Sequence, residues 1–447
     1  MNRQAATTKG MERRVRDLHF ERLREPRYRP NVKHSLPTVL GSLVASMTTR
    51  APSLRGAELR TAQISQQHNA FLGINGRIAD NTFGKLLPRL DPRDVRKRLV
   101  AMVNAEHRRG NLQPTAFPVS TVAIDGKNVA TLRWHDLCRV LKLKPKTAAV
   151  TQVRTLLRKR FPDVQLCVPE EGLPYALARV HTVTLISSLA ACCVYQRPIP
   201  GCTNEIGTLS DLLSELHRAY GRMRLFEMVT TDAGNTSLKV ATLIVNKLRR
   251  HYFSQIKVEH GELYAEAERA LGRRRESTAE ASYADNQNGK TATYHVWRYD
   301  LSNDGWLDWR HARQLVRVQK VTEDPTTGEQ TIGNRYYVSS KTTAELSADD
   351  ALKISRMHWR CEEETHWTTD AVLMEDRRRL SWSRHPAGVF VVSLLRMMAL
   401  NILAIARKLS RMGYSNETPT WHQVAEHFLL VLCATTLNTG AFDAVNE

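Results

Sequence analysis

Apolar residues in the first quarter of the chain recur every three or four positions, which is the spacing of an amphipathic helix. One such run comprises Leu36, Val39, Leu40, Leu43, Val44 and Met47. Further helices are predicted from Phe83 to Leu90 and, after Asp91-Pro92, from Val95 to Val103. We therefore predict a helical N-terminal domain over residues 34–115, preceded by a poorly ordered arm over residues 1–33.

Beyond residue 115 the pattern changes to short β-branched runs, which predict strands. The runs Phe117–Ile124 and Phe226–Thr231 end at Asp125 and Asp232. The other runs are His181–Ser187, Ala190–Tyr195 and Phe253–Val258, and a helical pattern covers Ser237–Leu248. Because strands alternate with helices, we predict an α/β core whose first part covers residues 116–264.

Two segments interrupt this core. Residues 126–178 are basic and partly helical, and we treat them as an insertion of unassigned role. Residues 265–345 contain the strand-like runs Thr291–Tyr299, Leu315–Val321 and Tyr336–Ser340, which predict a β-rich insertion. The core is then expected to resume with helices over residues 346–410, and a helical tail is expected over residues 411–447.

The longest apolar stretch, Val389–Ala406, contains Arg396 and Asn401 near its middle. An arginine at the centre of a bilayer costs roughly 2.5–3.5 kcal/mol, so we predict a buried helix and no membrane span. The N-terminal residues contain no apolar segment, so a secretory signal is not expected.

The charge balance favours a polyanionic partner. Lys and Arg total 65 against 45 acidic residues, which gives a formal net charge of +20. Because each phosphate that a protein neutralises releases counterions, this surplus of positive charge favours a nucleic acid as the partner. The alternative is a cationic protein with no nucleic-acid role. The Arg-rich arm is a candidate DNA contact, although a merely solvated tail explains it equally well.

The seven cysteines are scattered and include no Cys-x-x-Cys pair. This pattern suits a reducing cytoplasm and argues against a disulfide framework. Cys361, His358 and His366 lie close together in sequence, but no second pair of ligands accompanies them, so a zinc site is not expected.

Three acidic positions are candidates for chemistry. Asp125 and Asp232 each follow a predicted strand, and the third segment runs from Arg356 to Asp370. On a helix, that segment would place Trp359, Glu362, Glu363, His366 and Asp370 on or near one face. A simple Asp-Gly turn at Asp125 and a solvated acidic helix face are the alternatives.

Carboxylates placed in this way suit cleavage of a phosphodiester. Two divalent ions roughly 3.5–4 Å apart can activate the nucleophile and stabilise the leaving oxygen. Magnesium prefers oxygen ligands and keeps several waters, so a few carboxylates on rigid elements are sufficient to hold it.

The ordered set of motifs resembles the DDE transposases of bacterial insertion sequences. Asp125-Gly126-Lys127 is similar to their first motif, Thr203–Ile206 to a Ser-Asn-Glu-Ile stretch, and Thr231–Ala233 to the second acidic motif. The last motif is matched by Arg356, His358, Trp359, Glu362, His366, Trp367, Asp370, Glu375 and Asp376. The resemblance covers residues from about 34 to 407.

The resemblance implies an RNase H-like mixed sheet flanked by helices, with the third acid on a C-terminal helix. It implies that Asp125, Asp232 and Glu362 are the catalytic residues and hold two Mg²⁺ ions, with Mn²⁺ as a substitute. It also implies DNA contacts by Lys127, Lys257, Arg356, His358 and Trp359. The expected partners are double-stranded DNA, as terminal inverted repeats and target, and a second copy of the chain in a synaptic homodimer. The expected location is the bacterial cytoplasm, at the nucleoid.

The sequence departs from the family pattern in the last motif. Cys361, Glu363 and Thr365 stand where the family has Ile, Asn and Leu, so Glu362 and Glu363 both remain candidates for the third ligand. A DNA-binding relative without catalysis and an RNase H-like nuclease are the alternative functions.

Overall fold

The computed structural model describes residues 3–28, 30, 32–64, 66–287, 289–301, 307–375, 383–409 and 418–433. Its α-helices are α1 Arg3–Asp17, α2 Leu36–Thr48, α3 Leu54–Gln63, α4 Gln66–Leu72, α5 Asp80–Leu86, α6 Pro92–Arg108, α7 Trp134–Leu141, α8 Val150–Arg160, α9 Glu205–Tyr220, α10 Leu238–Thr242, α11 Glu262–Leu271, α12 Ala348–Met357, α13 Pro386–Leu409 and α14 Trp421–Cys433. Its strands are β1 Thr121–Arg133, β2 Val164–Cys167, β3 Tyr175–Leu185, β4 Cys192–Pro198, β5 Met228–Thr231, β6 His251–Ile256, β7 Ala281–Gln287, β8 Lys290–Asp300, β9 Gln314–Glu323 and β10 Gln330–Ser339.

The ten strands form one mixed sheet in the order β2-β3-β1-β5-β6-β10-β9-β8-β7, and β4 also pairs with β3. Strand β1 runs antiparallel to β3 and parallel to β5, and β5 runs parallel to β6. The strands β4-β3-β1-β5-β6 make up the predicted RNase H-like core. The β-rich insertion extends this core, because β10 pairs antiparallel with β6. The predicted fold class is confirmed.

Alternate residues of the central strands face two separate hydrophobic layers, as the two-residue period of a strand requires. Val122 and Ile124 of β1 pack into a layer that includes α9, α13 and the N-terminal helices. Ala123, between them, packs into the opposite layer, which includes Leu352 of α12 and Cys361. The acidic segment that follows α12 is therefore held against one face of the sheet.

Helix α13 is the predicted buried helix, and its polar residues have partners. The amide of Asn401 makes two 2.8 Å hydrogen bonds with the backbone of Cys193 in β4, one donated and one accepted. Arg396 forms an ion pair with Glu375. Residues Pro386–Lys408 are long and apolar enough to cross a membrane, but the apolar window is entirely buried within the fold.

Several elements differ from the sequence-based prediction. Strand β1 does not end at Asp125 but continues to Arg133, because β3 pairs with it along that length. The N-terminal arm contains α1, in which Met11 and Val15 are buried at helical spacing; it is not the poorly ordered arm predicted. The mostly polar residues of Ala281–Gln287 form β7, the outermost strand, which the sequence pattern did not predict. Asp376 and residues 411–417 and 434–447 of the predicted tail lie outside the described residues.

The third acidic segment is also more irregular than the helix predicted for it. After α12 the chain passes into π-helical turns at Cys361–His366 and Thr368–Val372. Wider turns of this kind change which side chains share a face, and they are frequent at functional sites.

Candidate active site

Asp125 and Asp232 lie side by side at one edge of the parallel part of the sheet. Ile124 in β1 pairs with Thr231 in β5, so the aspartates that follow these two residues occupy equivalent positions. Beyond this point β1 leaves β5 and pairs with β3 alone. Oδ1 of Asp232 accepts a 3.1 Å hydrogen bond from the backbone N–H of Asn235, which fixes the turn after β5.

The three consecutive glutamates of the third segment have different surroundings. Glu364 forms a 2.8 Å ion pair with Arg360, and Arg360 also donates hydrogen bonds to the backbone oxygens of Ile186 and Ser188. Glu363 is exposed. Glu362 is the member of the triplet whose charge raises the pKa of Asp125.

The carboxylates are close enough to influence one another's protonation. The pKa of the Asp125 carboxyl group is raised to about 7, mainly by burial and then by the negative charges of Glu362, Asp232 and Glu205. The hydrogen bond from the Gly126 N–H acts in the opposite direction and lowers this pKa. The side chain of Glu362 is exposed, but partial desolvation of its carboxyl group, followed by the charges of Asp232 and Glu363, also raises its pKa. The structure thus brings all three predicted acids into one electrostatic neighbourhood.

Glu205 is a fourth acid at the same place, to which the sequence pattern assigned no role. It begins α9, after the helix cap Asn204, and its carboxylate lies directly against Gly126. A Cβ at Gly126 would come within 2.1 Å of that carboxylate. Asn235, which is almost fully buried, donates a 3.3 Å hydrogen bond to Glu205, while its own side-chain oxygen lacks a partner among the described residues. The matched stretch Thr203–Ile206 was the signal in the sequence that pointed to this position.

Lys127 is not presented to solvent. It is buried, and its ammonium group forms ion pairs with Asp370 at 2.7 Å and Glu375 at 2.8 Å. It also donates hydrogen bonds to the backbone oxygen of His366 and to the hydroxyl of Thr369. Its contacts therefore join β1 to the third acidic segment, where the resemblance implied a contact with DNA.

Two buried histidines support the aspartates. Nδ1 of His366 lies 3.4 Å from Oδ2 of Asp125, and its Nε2 hydrogen-bonds with the Thr182 hydroxyl of β3. Nδ1 of His358 hydrogen-bonds at 3.2 Å with the hydroxyl of Thr230, two residues before Asp232. Burial lowers the pKa of His366 to about 3 and that of His358 to about 4, so both rings are neutral at pH 7. His358 therefore packs beneath the site, although the resemblance implied that it contacts DNA.

Trp359 and Arg356 line a cavity of about 940 Å³ between α12 and the β-rich insertion, and Glu362 lies at its wall. The guanidinium of Arg335 in β10 stacks over the Trp359 ring at 4.8 Å. Arg356 stacks over Tyr283 and Tyr294 and forms a 2.8 Å ion pair with Asp285 of β7. These two residues thus stand beside the carboxylates.

Lys257 lies beyond the end of β6 and is exposed.

The donor set suits a hard divalent cation in its chemistry. Oxygen ligands are those that Mg²⁺ prefers, and a cation would relieve the repulsion that raises the pKa of Asp125. In the described part of the chain, no three His, Cys, Asp or Glu side chains are grouped closely enough to hold an ion as they stand. Binding would therefore require the carboxylates to draw together, and side-chain rotation of the exposed Glu362 would permit this.

Comparisons with known proteins give distant similarity. No protein-family model matches the chain. The chain is 25% identical over 234 residues to the H repeat-associated putative transposase YhhI of Escherichia coli (strain K12), and equally so to the putative protein YbfL of the same organism. Each alignment covers 50% of this chain and 58% of the relative.

Among solved structures, a piggyBac transposase synaptic complex with hairpin DNA aligns with 97% of this chain and 80% of its own, at a TM-score of 0.41 and 10% identity. The relationship to YhhI extends over little more than half of that protein. Over this part, the chain is a distant homologue of a protein described as a putative transposase.

Proposed function

We propose that this protein is a DDE transposase of an insertion sequence, with Asp125, Asp232 and Glu362 as its catalytic triad. The observation that carries the proposal is the pair of aspartates at one edge of the sheet, with Glu362 near enough for its charge to act on Asp125. Asp125 and Asp232 stand in register on neighbouring parallel strands, and the charge of Glu362 acts on Asp125. The distant homology to a putative transposase supports the same assignment.

In this mechanism Asp125, Asp232 and Glu362 would hold two Mg²⁺ ions, with Mn²⁺ as a substitute. When bound, such ions activate a water or hydroxyl nucleophile and stabilise the leaving oxygen of a phosphodiester. His366 and His358 hold the strand ends that carry the aspartates through their contacts with Asp125 and Thr230. Trp359 and Arg356 would contact the DNA beside the scissile bond, and the exposed Lys257 would contact a phosphate.

The protein would bind the terminal inverted repeats of its element, cleave the DNA there and join the freed 3′-hydroxyl to target DNA. Two ends must be brought together for this reaction, so we propose a homodimer in the synaptic complex. The net charge of +20 supports the choice of DNA as partner.

The test is cleavage of an end-labelled duplex that carries the flanking inverted repeat, with Mg²⁺ or Mn²⁺. The wild type should nick at the repeat end, and Asp125→Asn, Asp232→Asn and Glu362→Gln should each lower the rate by at least about a hundredfold. Glu363→Gln is the matched control and should retain most of the activity. Binding without cleavage in any divalent metal would favour the non-catalytic relative, and cleavage without preference for the repeat would favour a nuclease.

A further inference from the structure

A groove in the basic insertion leads away from the candidate active site. It is a cavity of about 670 Å³ lined by Arg154 and Arg158 of α8, by Arg179 of β3 and by the loop Gly201–Asn204. Glu205, which follows this loop directly, places its carboxylate against Gly126 of the site. The groove and the candidate active site are therefore adjacent, and the neighbouring residues Asn204 and Glu205 connect them.

The two arginines of α8 that line the groove have no partner among the described residues. Helix α8 contains four basic residues and no acidic one. Its apolar side chains Val153 and Leu157 are buried, whereas Arg154 and Arg158 are exposed and have no ion pair or hydrogen bond among the described residues. Residues 134–167 as a whole contain eight Lys and Arg and two acids. Two exposed guanidinium groups one helical turn apart, without a counter-charge among the described residues, are available to an external anion.

The groove also presents groups that suit a phosphate backbone. Arg179 is held in place by a 2.6 Å hydrogen bond from its guanidinium to the backbone oxygen of Thr203, and the Asn204 side chain caps α9. Aromatic side chains do not line this groove, so stacking on bases is not favoured here. Contacts of arginine with phosphate oxygens position a protein on DNA and carry no sequence information directly.

We propose that the groove formed by α8, β2, β3 and the loop Gly201–Asn204 binds the phosphate backbone of duplex DNA beside the cleavage site. The role of the insertion is thus to hold the flank of the substrate and to extend the contact beyond the carboxylates. This inference rests on the proposed function, because it takes DNA as the polyanion.

The test compares paired Arg→Gln variants in binding to a fluorescein-labelled random-sequence duplex of about 30 base pairs, without divalent metal. Arg154→Gln/Arg158→Gln should weaken binding about tenfold and lower the slope of log K against log salt by about 2, one for each lost phosphate contact. The matched control is Arg218→Gln/Arg222→Gln, two exposed arginines at the opposite end of α9, which should leave both quantities unchanged.

Cys202 provides a second readout, because its thiol is exposed in the groove, whereas the other cysteines are buried or half-buried. DNA should protect Cys202 from maleimide alkylation in the wild type and in the Arg218/Arg222 variant, and less in the Arg154/Arg158 variant. If the wild type binds and cuts DNA but the Arg154/Arg158 variant binds equally well and DNA does not protect Cys202, the groove proposal is wrong and the transposase proposal stands. If the Arg154/Arg158 variant loses binding as expected but the wild type never cuts, the groove proposal is supported and the transposase proposal is wrong. A wild type that does not bind the duplex overturns both.

Discussion

Gly126 is the residue at which the backbone of β1 meets the carboxylate of Glu205. The Cα hydrogen that a methyl group would replace faces the end of the flexible Glu205 side chain, so alanine there would displace the Glu205 carboxylate at small cost to the fold. We expect Gly126→Ala to change the thermal midpoint little but to lower DNA cleavage about tenfold or more, because Glu205 adjoins Asp125.

A double-mutant cycle checks this route, since two residues that act through one contact are not additive. Cleavage by Glu205→Ala, Gly126→Ala and the double variant is compared. In the Glu205→Ala background, Gly126→Ala should cause no further loss. Additive losses would show that Gly126→Ala acts on the backbone and not through Glu205.

Asp125 should make the stability of the metal-free protein depend on pH. Its pKa of about 7 lies above the unfolded value, so the folded state favours the protonated acid. The resulting penalty is absent below about pH 4 and grows as pH rises to about 7. Asp125→Asn removes the ionisable group, so the variant should be more stable than the wild type. The difference between their unfolding free energies should grow from about pH 4 to about pH 7, to at most about 4 kcal/mol.

Urea unfolding in EDTA at pH 4.5, 6 and 8 measures that difference. The isosteric Glu363→Gln change, at an exposed position, should show no comparable pH-dependent gain and serves as the control. A stability difference between Asp125→Asn and wild type that is the same at all three pH values would contradict the expected penalty.

At the scale of elements, β1 and the third acidic segment are joined by buried charges. Lys127 pairs with Glu375, and Glu375 also pairs with Arg396 of α13. Removing one partner leaves a buried charge partly uncompensated, so Lys127→Met should lower the unfolding free energy by about 3–5 kcal/mol. Lys97→Met, which breaks an exposed pair with Asp94, should cost less than about 1 kcal/mol in the same denaturation experiment. Equal costs would show that the Lys127 cluster does not contribute in this way.

This cluster also marks how far the sequence could predict the structure. The β-branched runs located β5 and β8 to β10 because burial on the sheet selects such residues. The second half of β1 was missed because Asp125-Gly126 is typical of a turn, although Val129 and Leu132 beyond it are buried. Strand β7 was missed because most of its residues are polar. The partners of Lys127 lie 239 or more positions away, and local patterning carries no information about such contacts.

Some features of the candidate site could likewise be predicted from the sequence, and others could not. Asp125 and Asp232 could be located from the strands that precede them, and the last motif located Glu362. The distinct surroundings of the three glutamates could not be predicted, because they depend on the π-helical turns and on the contacts of Arg360 with Glu364 and with the backbone after β3. His358 is buried beside Thr230 of β5, and the motif alone could not decide between a role in folding and a role in binding for this residue.

At the scale of the whole molecule, α13 connects the N-terminal helices to the sheet. It packs against α2 and α6 and also against β1 and β4, and all of them share one continuous hydrophobic layer. Because this layer joins the predicted helical domain to the core, we expect the two to unfold together. Differential scanning calorimetry should therefore show a single transition for these parts.

Asn401 tests this coupling, since it lies on α13 and its two hydrogen bonds satisfy the buried backbone N–H and C=O of Cys193 in β4. Asn401→Ala should lower the unfolding free energy by about 2–4 kcal/mol, because each unsatisfied buried group costs roughly 1–3 kcal/mol. The transition should move as a whole and stay single. Leu430→Ala on α14, where the side chain is 53% exposed, is the control and should shift it little. If the variant instead resolves into two transitions, with the helical part unfolding apart from the sheet, α13 does not couple them and the helical region is an independent unit.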